Sequence, residues 1–525
     1  MYHDRVRVLV VGGSLVGLST ALLLAHRGVE TLLVERNPLT SDHPRARAFH
    51  ARTMELLTPS GVPALLNLDQ SLTGSDFSAL VAERVNAPTS AWWQPPVQPL
   101  PLSPASSYSV NQDRLEPIIA AMAIKHGAEL GFGTELLSFQ QDRHGVTATV
   151  QRTDTGHRRV IRADYLVGAD GPDSQVRERL GIPLHGAGVL SRTLTVVFRA
   201  DLGPALAGRS PYVIVLTAPD CPGVLLSTDQ PDRWVLGRRL GQGDPLEVPD
   251  QPPAHWVELV RTAVGEPGLD VTVEDVSVWS SAEQIAERYG SGRVFLAGDA
   301  AERAPLAGGH GANLGIQSAA NLAWKLAAVC QGWAGPTLLD SYDAERRPVG
   351  LAVAAQGAAL EGRHLERFSG QLAQPTASYD AVMYGHRYPV GRAAPPVDPV
   401  PEVLRLTGEP GSRLPHVWVE QDGGLASTIE LCGPGLTLFS SDPGWLAAAE
   451  EVAATTDAPL RARPTAGWQQ ACSVAVEGAL LVRPDHVVAA RWPGLVTDPT
   501  SALRAALDRT LHRVPPAGLR PGPRP

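Results

Sequence analysis

Apolar runs that end at a glycine recur along this chain, and each is followed by a stretch with helical spacing of apolar residues. A short apolar run bounded by glycine is typical of a buried strand, and apolar residues at every third or fourth position predict an amphipathic helix. The first run predicts a strand at 5–11, followed by a helix at 16–27 and a strand at 30–35. This order predicts a βαβ unit, whose crossover is right-handed by default.

The pattern changes between residues 191 and 240, where Thr, Val, Phe, Tyr and Trp alternate with turn residues. Such alternation predicts strands, so we expect an antiparallel sheet inserted into the α/β framework. Asp113 is expected to cap a helix, and the proline-rich stretch 84–107 is expected to be a loop. The same rules predict further helices at 52–66, 113–126, 176–180, 255–265, 313–330 and 340–362, and strands at 145–151, 159–167, 271–279 and 293–298.

Proline density at 393–401 predicts a linker, and the pattern beyond it predicts a separate α/β module. The proline-rich stretch 513–525 is expected to be frayed. A length of 525 residues also indicates more than one domain. The elements expected in the last module are strands at 434–439 and 478–483 and helices at 443–454 and 500–512.

Composition narrows the class of protein. Hydrophobic residues make up 43% of the chain and charged residues 19%, which is typical of a globular protein with a substantial core. The formal net charge is -9 and there is no lysine- or arginine-rich run, so nucleic acid is not an expected partner. The apolar stretches are shorter than the ~20 residues of a membrane helix, and the start of the chain does not resemble a signal peptide. A cytoplasmic protein without a membrane partner is expected.

The four cysteines lie far apart in the sequence and form no CxxC pair. A disulfide scaffold or a zinc site is therefore not expected, and reduced thiols in an intracellular protein are the default interpretation. No metal is expected to take part in the chemistry. The sequence leaves a monomer and a homodimer equally open.

The glycine-rich turn after the first strand is a candidate phosphate site. Gly12 would supply the tight turn, and Gly17 would allow the helix to pack closely on the strand. Backbone N–H groups at such a helix start face a pyrophosphate, and the helix dipole favours its negative charge. Ser14 stands where the pattern expects a middle glycine, and Glu35 ends the next strand, where an acidic residue binds ribose hydroxyls. The segment predicts a nucleotide site, with a purely structural turn as the alternative.

A second glycine-bounded run, 293–298, is followed by Asp299 and by a glycine-rich turn at 307–313. A carboxylate at this point would accept hydrogen bonds from a ribityl chain, and a helix that starts near Asn313 would direct free N–H groups at the electron-rich edge of a flavin. The alternative is that Asp299 only caps a helix. A third run ends in Asp170 and Gly171. Together the runs favour FAD as one long cofactor held at both ends.

These motifs together resemble the class A FAD-dependent aromatic hydroxylases, the group that shares the para-hydroxybenzoate hydroxylase fold. Within that group the chain looks most similar to the aromatic polyketide hydroxylases of the tetracenomycin and aklavinone type. Glu302 is a departure, because many relatives have histidine at this position. The resemblance rests on the N-terminal glycine turn, on Asp170-Gly171, on Gly298-Asp299 and on the segments 43–47, 52–57, 112–116 and 308–317.

The resemblance implies an α/β fold (α+β overall) with three domains. These are a Rossmann-like FAD-binding domain formed by 1–75, 110–185 and 285–392, an inserted substrate-binding domain with an antiparallel sheet formed by 76–109 and 186–284, and a thioredoxin-like C-terminal domain at 400–525 that lacks CxxC.

The resemblance also implies roles for individual residues. Asp170 and Gly171 resemble a segment that is linked to both FAD and NAD(P)H in the family. Contacts to the diphosphate, the adenosine ribose or the adenine of FAD are implied for Gly12, Ser14, Leu15, Gly17, Glu35, Arg36 and Leu136. Contacts to the ribityl end or the isoalloxazine are implied for Arg45, Gln112, Asp299, Pro305, Gly311, Ala312 and Asn313.

The implied chemistry resides mainly in the cofactor. NADPH or NADH would reduce the flavin, O₂ would add to give a C4a-hydroperoxyflavin, and a polycyclic aromatic polyketide would take up one oxygen atom. The protein would position the ring and exclude water. Candidate catalytic residues are Arg47 and Pro305, and His50 is a candidate base with a surface histidine as the alternative. Candidates for stacking on a flat substrate, each with a place in the core as the alternative, are Trp92, Trp93, Tyr108, Phe198, Tyr212 and Trp234.

Other functions stay open at this point. A Baeyer–Villiger or ring-rearranging oxygenase would use the same scaffold. A flavin-binding protein without turnover belongs to a different class, and the intact Asp299 with the turn at 308–317 argues against it. A flavin-dependent halogenase is disfavoured, because Trp92-Trp93 does not match the W-x-W-x-I-P pattern of that class.

Overall fold

The computed structural model describes residues 4–66, 71–72, 78–93, 102–241, 247–367, 377–390, 397–421 and 423–513. Its first sheet contains the strands β1 (Arg5–Val11), β2 (Thr31–Glu35), β8 (Glu129–Phe132), β9 (Thr134–Asp142), β10 (Gly145–Arg152), β11 (Arg158–Gly168), β17 (Gly290–Ser291) and β18 (Val294–Leu296). Strands β18, β11, β1, β2 and β8 lie side by side in that order and are parallel. Strands β9 to β11 form an antiparallel meander at one side. This is the expected Rossmann-like sheet.

Helices cover the first sheet because its strands are apolar on both faces. The strand core Val8, Leu9 and Val10 has no exposed surface. The helices of this region are α1 (Leu15–His26), α2 (Ala51–Leu57), α3 (Gln112–Lys125), α4 (Gln175–Arg179), α7 (Gly311–Cys330), α8 (Asp340–Arg367) and α9 (Tyr379–Tyr384). Helix α1 packs against both α3 and α7, and it is buried along almost its whole length. The start of α1 and the start of α7 are thereby brought together.

The second sheet contains the strands β5 (Ala79–Ala82), β6 (Ala91–Trp93), β12 (Leu184–Arg199), β13 (Val213–Leu216), β14 (Gly223–Ser227), β15 (Arg233–Arg239), β16 (Thr272–Ala286) and β19 (Glu302–Arg303). The order is β19-β16-β12-β15-β14-β13-β5-β6, antiparallel except for the parallel pair β13 and β5. Two helices, α5 (Gly203–Leu206) and α6 (Pro253–Val264), accompany this sheet. The antiparallel sheet expected between residues 191 and 240 is therefore confirmed.

The C-terminal region has a mixed sheet of its own. Its strands are β22 (Leu436–Ser440), β23 (Leu460–Pro464), β24 (Ala479–Val482) and β25 (Val488–Trp492), in the order β23-β22-β24-β25. Helices α10 (Pro443–Ala454) and α11 (Pro499–Thr510) pack together against it, as in a thioredoxin-like domain. Two small sheets complete the described residues, a hairpin of β20 (Trp418–Gln421) and β21 (Gly424–Ser427), and a sheet of β3 (Ala48–Phe49), β4 (Ser71–Leu72) and β7 (Ser107–Ser109).

Some local expectations were wrong. Asn111, not Asp113, occupies the N-cap of α3, and Asp113 in the first turn instead forms an ion pair with Arg233 at 2.5 Å. The helix expected at 52–66 ends at Leu57 and continues as two 3₁₀ turns, because prolines and a glycine interrupt it. The stretch 84–107 contains β6 as well as loop.

Parts of three expectations lie outside the described residues. These are 94–101 of the expected loop, 393–396 of the expected linker and 514–525 of the stretch expected to fray. Among the described residues, no helix is both long and apolar enough to span a membrane.

Candidate active site

The glycines of the N-terminal turn allow three backbone segments to approach closely. Gly12 has a φ of +108°, and a Cβ placed on it would lie 2.2 Å from the carbonyl oxygen of Ala169. A Cβ on Gly17 would lie 1.9 Å from the carbonyl oxygen of Gly12. These distances are far below a van der Waals contact, so the ends of β1 and β11 meet the start of α1 only because both residues are glycine. The geometry agrees with the packing expected for both.

Ser14 is the N-cap residue of α1, but its side chain makes no capping hydrogen bond. Its hydroxyl instead donates to Oε1 of Glu116 at 2.6 Å and accepts from Nε2 of Gln112 at 3.1 Å. The first turn of α1, which includes Leu15, also has no acidic side chain. Because the first N–H groups of a helix have no partner within the helix, the start of α1 is a site for an anion such as a diphosphate.

Glu35 lies directly beside this turn. Its Oε2 accepts from the backbone N–H of Gly13 at 2.6 Å, and its Oε1 accepts from the N–H of Asn37 at 2.8 Å. The carboxylate is thus fixed at the end of β2, where a nucleotide ribose would lie. The next residue, Arg36, is exposed, whereas the Leu136 side chain is buried in the core and its backbone pairs with Val150.

Val16 joins the two glycine segments that are most distant in sequence. A Cβ on Gly298 would lie 2.9 Å from Cγ2 of Val16, and a Cβ on Gly315 would lie 2.6 Å from the same atom. The turn before Asp299, the first turn of α1 and the second turn of α7 therefore converge on one side chain. A single extended cofactor can therefore contact both glycine segments.

The Asp299 carboxylate is open to the cleft at this point, and it accepts no hydrogen bond from the described residues. The protein walls around it remove enough water to raise the pKa of this carboxyl, against the opposite effect of Arg303 and Arg45. An acid with free oxygens beside two helix starts is suited to accept hydrogen bonds from ribityl hydroxyls. It does not cap a helix of the α type, since it lies within the 3₁₀ turn Gly298–Ala300.

Helix α7 offers free donors at its start. Its N-cap residue, His310, makes no side-chain capping bond, and the first turn contains no acidic residue. Added Cβ atoms on Gly309 and Gly311 would meet nothing within 4 Å, so the space in front of the helix is open. The N–H groups of Gly311 and Ala312 are left for the edge of a flat ring.

The side chain of Asn313 is fully used in hydrogen bonds within the protein. Its wholly buried side chain accepts hydrogen bonds from the backbone N–H of His50 at 2.9 Å and from the hydroxyl of Thr53 at 2.7 Å. Its Nδ2 donates to the carbonyl oxygen of Ala48 at 3.0 Å. The side chain therefore fastens α7 to α2 and β3, and only the backbone of Asn313 is left to face a ring.

Asp170 also has an internal role. One carboxylate oxygen accepts from the hydroxyl of Ser174 at 2.5 Å, and the other accepts from the N–H of Val176 at 3.0 Å. Burial raises the pKa of this carboxyl, while these two hydrogen bonds lower it. The structure thus shows Asp170 holding the start of α4, and Gly171 beside it adopts a φ of +83°.

Polar and aromatic side chains surround Arg47, and together they are called the Arg47 pocket below. Its Nε donates to the hydroxyl of Ser109 at 2.7 Å, and its Nη1 donates to the hydroxyl of Ser227 at 2.7 Å. The guanidinium lies 4.1 Å from the ring centroid of Tyr212. Burial lowers the pKa of Arg47, but a guanidinium stays charged at neutral pH. Its Nη2 donates to no described residue and is available to a ligand.

The other wall of the pocket is aromatic. The His310 ring lies 5.6 Å from the ring of Tyr379, and the His50 ring lies 5.4 Å from Tyr379 and 4.6 Å from Tyr384. Burial lowers the pKa of His310 to about 4 and that of His50 to about 3, so both imidazoles are neutral at pH 7. Tyr212 is close enough to Tyr379 to help raise the pKa of that phenol, although burial contributes more. His50 is therefore buried, and the alternative of a surface histidine was wrong.

Sequence reasoning missed His310, Tyr379 and Ser227. The signal for His310 was its position between two glycines at the start of a predicted helix. Tyr379 and Ser227 carried no comparable signal, because each reaches the pocket only through the packing of distant segments.

The six aromatic candidates for substrate contact differ in their surroundings. Phe198 has no exposed surface, and it lies with Trp234 in the core of the second sheet, which favours for both the alternative of a place in the core. Tyr108 is buried in the core of the first sheet. Trp92 is 45% exposed on the edge strand β6, and Trp93 follows it on the same strand. Of the six, Tyr212 is the one that faces Arg47.

Pro305 is buried, and a Cβ on Gly357 of α8 would lie 3.0 Å from its ring. Pro305 follows Asp299 by six residues in sequence.

Among the described residues, no cluster of His, Cys, Asp and Glu has the arrangement of a metal site.

Glu302 is a buried acid below the Asp299 turn. Its carboxylate accepts hydrogen bonds from the hydroxyls of Tyr289, at 2.9 Å, and Ser318, at 2.5 Å. Burial raises its pKa to about 7, although Arg346 and the two hydroxyls act in the opposite direction. A carboxyl at this depth is protonated in mildly acidic solution and ionised above neutrality.

This raised pKa predicts a pH-dependent stability. The folded protein holds the Glu302 proton up to about pH 7, whereas the unfolded chain releases it near the usual value of 4.5. The stabilisation is therefore complete below pH 4.5 and is lost as the pH rises through 7, which amounts to about 2–3 kcal/mol between pH 5 and pH 8. The stability of Glu302→Gln, measured by thermal or denaturant unfolding, should not decrease in this way as the pH rises. An exposed control, Glu258→Gln, should follow the wild type; equal pH profiles for wild type and Glu302→Gln would contradict the assignment.

The fold and these two helix starts define a flavin-binding protein. Free N–H groups at α1 and α7, the unpartnered Asp299 carboxylate and the open space at Gly309 and Gly311 fit the diphosphate, ribityl and ring portions of FAD.

Comparison with known protein families leads to the same class of protein. The model of the FAD binding domain matches residues 5–356, and that of the aromatic-ring hydroxylase C-terminal region matches residues 407–513. The chain belongs to the FAD-dependent aromatic-ring hydroxylases, and it is an FAD-binding monooxygenase.

Individual relatives are similar over almost the whole chain. The tetracenomycin A2 monooxygenase-dioxygenase of Streptomyces glaucescens is 39% identical, with 98% of each chain covered. The aklavinone 12-hydroxylase of Streptomyces purpurascens is 37% identical, with 98% of this chain and 100% of that one covered. The crystal structure of aklavinone-11 hydroxylase with FAD and aklavinone matches with a TM-score of 0.89 at 36% identity, and covers 98% of this chain and 100% of that one.

Proposed function

We propose that this chain is an NAD(P)H-consuming monooxygenase that inserts one oxygen atom from O₂ into a polycyclic aromatic substrate of the polyketide type. The observation that carries the proposal is the position of His310. It is the N-cap residue of α7, where a flavin ring would meet free N–H groups, and its ring lies 5.6 Å from Tyr379 in the Arg47 pocket. A substrate in that pocket would therefore lie next to the reactive ring of the cofactor.

When bound and reduced by NAD(P)H, FAD supplies the activated oxygen atom. The chain's own part is to hold and orient. The N–H groups of Gly311 and Ala312 at the start of α7 direct partial positive charge at the ring edge. Asp299 would fix the ribityl chain, and the first turn of α1 would fix the diphosphate.

Arg47 would orient the substrate. Two of its nitrogens are held by Ser109 and Ser227, so the guanidinium has a fixed direction and presents Nη2 to a ligand. A phenol oxygen that accepts from this cation is held more easily as a phenolate, and a phenolate ring is more electron-rich and reacts faster with an electrophilic oxygen. The neutral His310 and His50 add no competing charge.

A flat polycycle fits the walls of this pocket. Tyr212 offers aromatic surface beside Arg47 and Tyr379 offers it beside His310, and aromatic rings stack with offset faces. The relatives that are named after tetracenomycin and aklavinone support the same substrate class. A relative from Burkholderia, 36% identical, is named 4-methyl-5-nitrocatechol 5-monooxygenase, so a monocyclic phenol belongs in any test.

The test is substrate-dependent oxidation of the reductant by the purified holoenzyme. NADPH and NADH are compared, with and without a panel of polycyclic and monocyclic phenols, and the products are analysed by mass spectrometry and NMR. We expect faster NAD(P)H oxidation with a polycyclic phenol and a hydroxylated ring as the product. A lactone would identify Baeyer–Villiger insertion instead. A yellow protein that oxidises no NAD(P)H under any condition would show a flavin-binding protein without turnover and would refute the proposal.

Replacing Arg47 tests the orientation of the substrate. Arg47→Gln removes the charged donor, and hydrogen bonds to charged groups contribute about 1.5–3 kcal/mol, so the substrate should bind roughly tenfold more weakly or worse. Binding is measured from the change of the flavin absorbance on titration with the phenol. Arg199→Gln, a partly exposed arginine of the second sheet, is the control. An unchanged Kd with a full complement of FAD in Arg47→Gln would show that Arg47 does not contact the substrate.

A further inference from the structure

Several buried hydrogen bonds and ion pairs join the C-terminal region to the rest of the molecule, and one of the ion pairs involves Arg413. Arg413 has a side chain that is 2% exposed, and it forms an ion pair with the wholly buried Glu55 of α2. Its Nε donates to Oε2 of Glu55 at 3.1 Å, and its Nη2 donates to Oε1. Arg52 of α2 donates to the same carboxylate at 2.9 Å. Burial opposes the ionisation of Glu55, but the two arginines prevail and lower its pKa to about 2.

Arg413 is also linked to the start of α7 through a chain of contacts. Its guanidinium lies 4.9 Å from the ring centroid of Tyr384, and the Tyr384 ring lies 4.6 Å from the His50 ring. The backbone N–H of His50 donates to Oδ1 of Asn313 at 2.9 Å. Asn313 lies in the first turn of α7, whose N–H groups face the proposed flavin ring. Each of these contacts is buried, so a displacement at one end is not absorbed by solvent.

We propose that Arg413 is a positioning residue, which fixes the start of α7 against the flavin ring through Tyr384, His50 and Asn313. The inference rests on the assignment of the flavin ring to this helix start in the proposed function. Removing the arginine would leave the buried Glu55 carboxylate with Arg52 as its one remaining ion-pair partner among the described residues, and would free Tyr384 to move. The N–H groups of α7 would then be directed less well at the ring edge that becomes negative on reduction.

Arg483 provides a matched control. It also belongs to the C-terminal region, and its buried side chain forms ion pairs with Glu345 of α8 at 2.7 Å and with Asp485 at 2.6 Å. Its contact with α7 is at Trp324, 5.1 Å from the ring centroid. Trp324 follows Asn313 by 11 residues, which is about 16 Å along a helix. The Arg483 pairs therefore join the same two regions. Among the described residues, the contacts of Arg483 include Tyr388 but neither Tyr384 nor His50, the residues through which Arg413 is linked to the start of α7.

The experiment compares the full-length holoenzymes of Arg413→Met, Arg413→Lys, Arg483→Met and wild type. The midpoint potential of the bound FAD is measured by photoreduction with a reference dye, and the melting temperature is measured in parallel. In Arg413→Met, reduced FAD should lose about tenfold in binding relative to oxidised FAD, which is a potential about 30 mV more negative for a two-electron couple. Arg483→Met should lower the melting temperature but leave the potential at the wild-type value.

Arg413→Lys keeps a charge near Glu55 but lacks the flat guanidinium over Tyr384. It should fold, and it should show a shift of the same sign and smaller size, so it decides the question if Arg413→Met does not fold. A wild-type potential in both Arg413 variants would overturn the inference, and so would an equal shift in Arg483→Met. Neither readout requires turnover, so a failure here is distinct from a failure to oxidise NAD(P)H with a phenol.

Discussion

Replacing Asp299 by alanine is expected to weaken FAD binding about 10- to 100-fold, because hydrogen bonds to a charged acceptor contribute about 1.5–3 kcal/mol. The Asp299 carboxylate is open to the cleft and accepts no hydrogen bond from the described residues, so its removal leaves no protein donor unpaired. The loss should therefore appear in cofactor affinity and not in the folding of the apoprotein. FAD titration of the apoprotein, followed by flavin fluorescence, measures it.

Two variants make the Asp299 result specific. Asp299→Asn keeps an oxygen acceptor without the charge and should fall between the wild type and Asp299→Ala. Asp201→Ala removes an exposed aspartate that follows a strand of the second sheet, and it should bind FAD like the wild type. Full FAD occupancy in Asp299→Ala at limiting FAD would refute the role assigned to this carboxylate.

Gly17→Ala is expected to destabilise the protein and abolish FAD binding. The added Cβ would lie 1.9 Å from the carbonyl oxygen of Gly12, and this backbone cannot move without separating α1 from β1. Overpacking of this kind costs about 3 kcal/mol or more, even though alanine favours a helix over glycine by about 1 kcal/mol. The melting temperature should fall by roughly 5 °C or more.

The control for this variant is Gly268→Ala, because a Cβ at Gly268 meets nothing within 4 Å. Its melting temperature and FAD content should match those of the wild type. If Gly17→Ala kept both the wild-type melting temperature and bound FAD, the close approach of α1 to the end of β1 would not be a requirement of the cofactor site.

The helices and strands that position the site were predictable because they depend on local pattern. The strand before Gly12, the helix after it and the helix after the 307–313 turn follow from apolar spacing and glycine alone. The inserted antiparallel sheet follows from alternation. Asp113 shows the limit of such rules, because its carboxylate forms an ion pair with Arg233, which lies on a distant strand. The local sequence around Asp113 gives no sign of that partner.

The contents of the pocket were less predictable. A single sequence does not distinguish Phe198 and Trp234, which fill the core of the second sheet, from Tyr212, which faces Arg47. The face to which a strand residue points depends on the register of the whole sheet, and a shift by one residue reverses it. Asn313 was expected near the ring, but its side chain is used by His50 and Thr53, which lie 263 and 260 positions earlier in the chain.

The contact between the C-terminal region and the rest of the molecule had no signal in the sequence. Arg413 and Glu55 are 358 positions apart, and each is an ordinary charged residue in its own segment. A buried ion pair offsets the cost of removing both charges from water only when further hydrogen bonds are made to its groups. Here Arg52 donates such a hydrogen bond to Glu55. Patterns of hydrophobicity carry no information on such pairing.

Following the oxygen atom tests the proposed monooxygenase reaction most directly. Holoenzyme with a bound polycyclic phenol is reduced by NAD(P)H without air and is then mixed with isotopically heavy O₂, and the product is examined by mass spectrometry. We predict that the product gains one heavy oxygen atom on the aromatic ring for each NAD(P)H consumed. A product whose new oxygen comes from water, or NAD(P)H consumption that ends entirely in hydrogen peroxide with every phenol tested, would contradict the proposed reaction.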